Sequence, residues 1–130
     1  MARYKSKLSR RSSNPFSLSG WISAGNHSDN FDSFKCYVIL AHDSKEQFVK
    51  VGRTFCTLQY RFSGNEIFPY EYDVLHEVSD NPYHIFNLEL KLKKIFKDHS
   101  YTPSIKFSGC SECFTTDIIP LLKDHINVNT

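Results

Sequence analysis

Two short apolar runs, 36–41 (CYVILA) and 48–52 (FVKVG), flank a polar connector at 42–47. Both are rich in β-branched and aromatic residues and too short for helices, so they predict an antiparallel strand pair. The second run ends on Gly52. Thr54 can then cap a short helix with Leu58 and Phe62 on one face and Arg61 beside them. Ser63, Gly64 and Asn65 supply turn chemistry to end it. Residues 70–78 alternate apolar with charged side chains in their first half, as a half-exposed third strand does. Ser79-Asp80-Asn81-Pro82 reads as a helix start, and a stripe of Ile85, Leu88, Leu92, Ile95 and Phe96 carries that helix to about residue 98. A short extended piece at 105–107 follows. A last helix begins near Thr116 and Asp117 and carries Ile118, Ile119, Leu121 and Leu122, with Pro120 in its first turn.

Three strands and three helices in mixed order make an α/β chain of the α+β type. With 130 residues there is room for one domain with a real core and no need of disulfide staples. Its boundary falls where the patterning begins: residues 1–33 read as a basic, Ser-rich arm and 34–130 as the domain. Trp21 and Ile22 interrupt the arm as an apolar pair of the kind that docks on a body or a neighbouring subunit.

Charge sharpens this division. Arg3, Lys5, Lys7, Arg10 and Arg11 fall within residues 1–28 with no acid among them, while the remainder carries 11 basic and 14 acidic residues. A basic arm on a mildly acidic body suits a polyanionic partner, and it also suits a solubilising tail. The arm is Arg- and Ser-rich like a transit peptide, but Pro15, Gly20 and Gly25 break any continuous amphipathic helix. With no secretory apolar segment and no membrane-length run, the expectation is a soluble, intracellular protein. Four cysteines in such a setting read as reduced. Cys110 and Cys113 form a single CxxC with no second pair to complete a zinc site, although His99 or His125 could join them.

The chemistry-bearing residues stand out as exceptions to the pattern. Glu89 lies on the apolar face of the long helix, four residues after Ile85. A carboxylate there is costly unless paired or bound to a metal, and Lys93 at i+4 offers a plain pairing. Lys50 interrupts an apolar strand, where it either serves chemistry or snorkels to an edge. Arg61 can be a solvated helix residue and Tyr37 a core residue. Together, a phenol, a lysine, an arginine and one lone carboxylate supply what phosphodiester hydrolysis needs: water activation, a phosphate clamp and a cation anchor.

Strand, strand with a polar intruder, glycine, then a helix with an arginine: this order resembles the GIY-YIG nuclease family. Lys35-Cys36-Tyr37 stands at the first motif and Lys50-Val51-Gly52 at the second. The likeness spans about residues 35–114. Arg53-Thr54 and Glu112-Cys113-Phe114 look like its phage-type branch, while Asn65 stands where the family has a histidine. The resemblance implies a three-stranded antiparallel sheet flanked by helices and a divalent-metal-dependent DNA endonuclease. It implies Tyr37 as the proton-accepting or water-activating phenol, with Lys50 easing loss of its proton or contacting phosphate. Arg61 would stabilise charge on the phosphate, and Glu89 would anchor Mg2+ or Mn2+. Double-stranded DNA would be the partner, gripped by Arg3, Lys5, Lys7, Arg10, Arg11 and Arg53. A double-strand break would need a homodimer, a higher oligomer or repeated nicking, and the setting would be the cytoplasm of a bacterium or phage-infected host. The alternative is a catalytically inactive nucleic-acid-binding or host-enzyme-blocking module on the same fold.

Overall fold

A computed structural model of the protein describes residues 17–63, 68–107 and 110–126. The basic residues Arg3, Lys5, Lys7, Arg10 and Arg11 and the turn at Gly64 and Asn65 lie outside these residues.

Strands β1 (Lys35–His42) and β2 (Gln47–Thr54) form the expected antiparallel pair. Asp43 shapes the turn between them, its carboxylate accepting hydrogen bonds from the backbone N–H groups of Lys45 and Glu46. Strand β3 (Glu71–Ser79) pairs with the other side of β1. A fourth strand, β4 (Cys113–Phe114), lies against Val49 and Lys50 of β2, giving the order β3-β1-β2-β4. The expectation of three strands is corrected to four. A two-residue strand is too short to register as a period, and the expected extended piece at 105–107 forms no strand.

The register sorts the sheet's two faces. Directly opposed residues point the same way, so Tyr37 with Gly52 and Ile39 with Lys50 share one face. Cys36, Val38, Val49, Val51 and Arg53 share the other. The second face buries the main core against α3 (Pro82–Ile95) and α4 (Ile119–Ile126), through Ile85, Leu88, Leu92, Ile118 and Leu122. The first is covered by α2 (Leu58–Ser63), whose Leu58 and Phe62 pack on Tyr37 and Ile39. Thr57 rather than Thr54 begins α2, its hydroxyl accepting from the Tyr60 N–H at 3.2 Å. Asn81 caps α3 as the sequence predicts. Ile95 and Leu121, expected on apolar stripes, are exposed.

Part of the stretch assigned to the arm is folded. Helix α1 (Leu18–Asn26), capped by Ser17, carries Trp21 into the main core, edge-on to Phe34 at 4.9 Å between ring centroids. A second anchor lies at the hairpin. The Glu46 carboxylate accepts from the Tyr70 and Tyr101 hydroxyls at 2.6 and 2.5 Å and from the Ser104 N–H at 3.1 Å. No helix of the described residues is long and apolar enough to cross a membrane.

Candidate functional site

Gly52 faces Tyr37 across β1 and β2, and the contact explains the glycine. A Cβ built there would lie 2.5 Å from the Tyr37 Oη and 2.6 Å from its Cζ, so only a residue without a side chain lets the phenol lie across β2. The oxygen seated there accepts a hydrogen bond from the Lys50 Nζ at 2.8 Å. Lys50 has no exposed surface and Tyr37 keeps 1 %, so of the two roles open to Lys50 the snorkelling one is excluded. Strand β4 covers the edge of β2 at Lys50, and a partner waits there: the Lys50 ammonium also donates to Glu112 Oε1 at 3.1 Å.

From Glu112 the charges continue around the sheet edge to the opposite face. Glu112 Oε2 lies 2.8 Å from the Lys93 Nζ. The same ammonium lies 3.0 Å from Glu89 Oε2, and Arg53 Nη1 lies 2.6 Å from Glu89 Oε1. The sequence of contacts is therefore Tyr37, Lys50, Glu112, Lys93, Glu89, Arg53. It brings together β1, β2, α3 and the turn before β4. Glu89 keeps 2 % exposure and takes the plain i+4 pairing with Lys93 together with a cross-sheet partner the sequence did not suggest.

The electrostatics are those of a largely buried cluster in which charges of opposite sign alternate. Burial works to lower the Lys50 pKa, but the Tyr37 oxygen and the Glu112 carboxylate outweigh it and hold the ammonium above the ordinary lysine value. Burial likewise works to raise the Glu112 carboxyl, and Lys50 and Lys93 more than offset it, leaving that group below the usual carboxylate range. Lys93 is held above its ordinary value by Glu112 and Glu89 against the same burial penalty. The Cys36 thiol, in the core beside this chain of charges, is pushed up to about 12, by burial first and by the Glu89 charge second. Cys113 is pushed up to about 12 by burial. Neither is a nucleophile near neutral pH.

Arg61 sits on α2 on the phenol's side of the sheet, its guanidinium 5.7 Å from the Phe62 ring centre and close enough to Lys50 to be felt there as a like charge. Among the described residues no carboxylate pairs with it. Arg53, expected on the DNA surface, turns inward. Its guanidinium lies 4.8 Å from the Trp21 ring centre and 4.3 Å from that of Phe86, with the side chain 11 % exposed. Glu112 is the member the sequence reading did not assign to the site. Its only signal was its place in the Glu112-Cys113-Phe114 segment. Among the described residues no three His, Cys, Asp or Glu side chains are grouped to hold a metal ion.

Comparison with family profiles, with curated proteins and with solved structures gave no match.

Proposed function

We propose that this chain is an endonuclease of the GIY-YIG type that hydrolyses phosphodiester bonds in double-stranded DNA. One observation carries the reading: a tyrosine hydroxyl seated over a glycine and held by a wholly buried lysine ammonium. A buried lysine is expensive, and a core needs neither it nor a glycine mid-strand. Water attacks the phosphorus and gives its proton to a Tyr37 Oη that has already released its own hydrogen to solvent, while the bond to the leaving sugar oxygen breaks and that oxygen takes up a proton from solvent. Lys50 is a pure donor, so it directs any hydrogen on Oη away from itself and balances the charge when Oη carries none. Arg61 holds the non-bridging phosphate oxygens as charge builds on them. Leu58 and Phe62 cover Tyr37, so α2 must lift for a phosphate to reach the phenol. The arm residues Arg3, Lys5, Lys7, Arg10 and Arg11 grip the backbone without reading sequence.

The Mg2+ or Mn2+ ion that the resemblance implies does not fit the cluster as arranged. Both Glu89 oxygens are taken by cations, at 2.6 and 3.0 Å, and both Glu112 oxygens by lysines. No step above is routed through an ion.

The same saturation favours the second reading, in which the buried charges only brace a non-catalytic nucleic-acid-binding or enzyme-blocking module. Supercoiled plasmid incubated with the chain, in magnesium and in EDTA, separates the two. Nicked or linear product that disappears in Tyr37→Phe and Arg61→Ala supports the nuclease, and intact plasmid under every condition refutes it.

A further inference from the structure

We propose that Cys110 and Cys113 are a redox pair: a low-molecular-weight disulfide oxidises them to an internal disulfide, and its closure draws Glu112, which lies between them, off the Lys50 ammonium. The proposal rests on the nuclease reading only for its effect on cleavage, and there it names a regulation of that site. Both cysteines are free thiols. Residues Cys110–Glu112 form a single 3-10 turn that runs straight into β4. Side chains at i and i+3 of such a turn eclipse, and the Cα atoms at its two ends lie within about 7 Å. A disulfide spans Cα atoms about 4.4–6.8 Å apart, so the backbone already holds the pair at bridging distance. The thiols are near enough that charge on Cys110 is felt at Cys113. Cys113 keeps 1 % exposure and packs with Ala41, Phe48 and Tyr70. Cys110 is half-buried and takes no part in the core clusters, so packing accounts for the one cysteine and not for the other.

The accessible thiol reacts first. Cys110 gives its proton to solvent, and its sulfur attacks one sulfur of the oxidant, whose S–S bond breaks and releases one thiolate. Cys113 then loses its proton and attacks the Cys110 sulfur, expelling the second thiolate. The two protein thiols lose two electrons, and the oxidant leaves as two thiols. Burial holds the Cys113 thiol up at about 12 while β4 is closed, so this second attack waits for β4 to open. That strand is two residues long and pairs only with Val49 and Lys50, which makes it the weak place in the sheet. Turning Cys113 toward Cys110 takes it from its seat beside Phe48, and Glu112 moves with it. Glu112 is the one carboxylate on Lys50 among the described residues. Without it a wholly buried ammonium is left with the Tyr37 oxygen alone.

The test compares the full chain treated with glutathione disulfide and with dithiothreitol, the bond being located by alkylation and peptide mass. A Cys110–Cys113 disulfide that dithiothreitol reverses is expected, with Cys36 and Cys56 still thiols. The thermal midpoint of the oxidised chain should fall below that of the reduced chain. A disulfide that left Glu112 in place would raise it instead, by closing a loop in the unfolded chain. In Glu112→Gln, which has no charge to withdraw, the fall should disappear. Plasmid cleavage should slow by about tenfold or more on oxidation and recover with dithiothreitol, while Cys110→Ser ignores the oxidant. Absence of the disulfide, or a disulfide that leaves the midpoint unchanged or raises it, overturns the proposal. A lowered midpoint with plasmid intact in both states keeps the switch and removes the nuclease reading. Equal cleavage in both states despite the disulfide does the reverse.

Discussion

Replacing Glu89 by alanine distinguishes a braced core group from a surface pair. As the lone partner of Lys93 on a helix, Glu89 would contribute only about 0.2–0.5 kcal/mol, and its loss from an apolar stripe would be nearly neutral. The observed position says otherwise. Glu89 keeps 2 % exposure and its Oε1 lies 2.6 Å from an Arg53 side chain that is itself 11 % exposed. Removing one partner of a buried ion pair costs about 3–5 kcal/mol, because the other charge stays behind in a poor medium. Two effects soften this. Arg53 keeps the faces of Trp21 and Phe86, and alanine is the better helix former by a few tenths of a kcal/mol. The expected loss is therefore about 3 kcal/mol, or about 12 °C in Tm for a domain of this size. Urea unfolding followed by circular dichroism measures it, with Glu89→Gln expected to lose less because it keeps the shape and an acceptor for Arg53. A Glu89→Ala protein within about 1 kcal/mol of the unaltered chain would refute the reasoning. A consequence for enzymology follows: loss of cleavage in Glu89→Ala mixes folding with chemistry, so Glu89→Gln is the informative variant.

Gly52→Ala drives a methyl group to within 2.5 Å of the Tyr37 oxygen, and is expected to lower stability by about 1–3 kcal/mol, measured by urea midpoint; an unchanged midpoint would mean the phenol does not lie there. The cluster also fixes a pH window. Glu112, with its pKa held below the ordinary 4.5 by Lys50 and Lys93 against burial, stabilises the fold above that value and loses its contribution as pH falls through the lower folded value. Lys50, held above 10.5 against burial by Tyr37 and Glu112, and Lys93, held above it against burial by Glu112 and Glu89, stabilise below that value and lose their contribution as pH rises through their folded values. Thermal scans across pH should thus fall off at both ends, and in Glu112→Gln the acid-side loss should shrink; an acid limb of equal depth in both proteins would count against the assignment. Deleting residues 1–14 should weaken DNA binding and flatten its salt dependence by roughly one unit of slope per lost phosphate contact, so equal slopes for both chains would make the arm only a tail.

The elements that announce themselves in the sequence are the long and regular ones. The hairpin 36–52 and the α3 stripe are periodic over enough residues to be read, and Glu89 and Lys50 were visible because each breaks an apolar run. What stayed hidden was set by distance along the chain. Lys50 meets Glu112 across 62 residues, and Arg53 meets Glu89 across 36, so no local spacing encodes either. The snorkelling alternative for Lys50 failed for the same reason, since the strand that closes its edge is two residues long and has no period. Helix α1 sits in a Ser- and Gly-rich stretch that reads as arm, and only the apolar pair Trp21 and Ile22 signalled that it docks. Arg53 looked like a phosphate contact because sequence conveys charge but not direction.

The order β3-β1-β2-β4 leaves β3 with one side unpaired among the described residues. Nine residues of open backbone with an exposed Val74 would ordinarily invite a second copy to add on and nucleate fibrous aggregation. Two devices oppose this. The register against β1 slips between Val38 and Ile39, opposite Leu75, which kinks the rim that an incoming strand would have to follow. Glu71, Asp73 and Glu77 are all exposed along it, so two copies meeting edge to edge would set acid against acid. This safeguard depends on ionised carboxylates. The chain should keep best in neutral, low-salt buffer and become prone to self-adhesion in acid, where the same rim loses its charge.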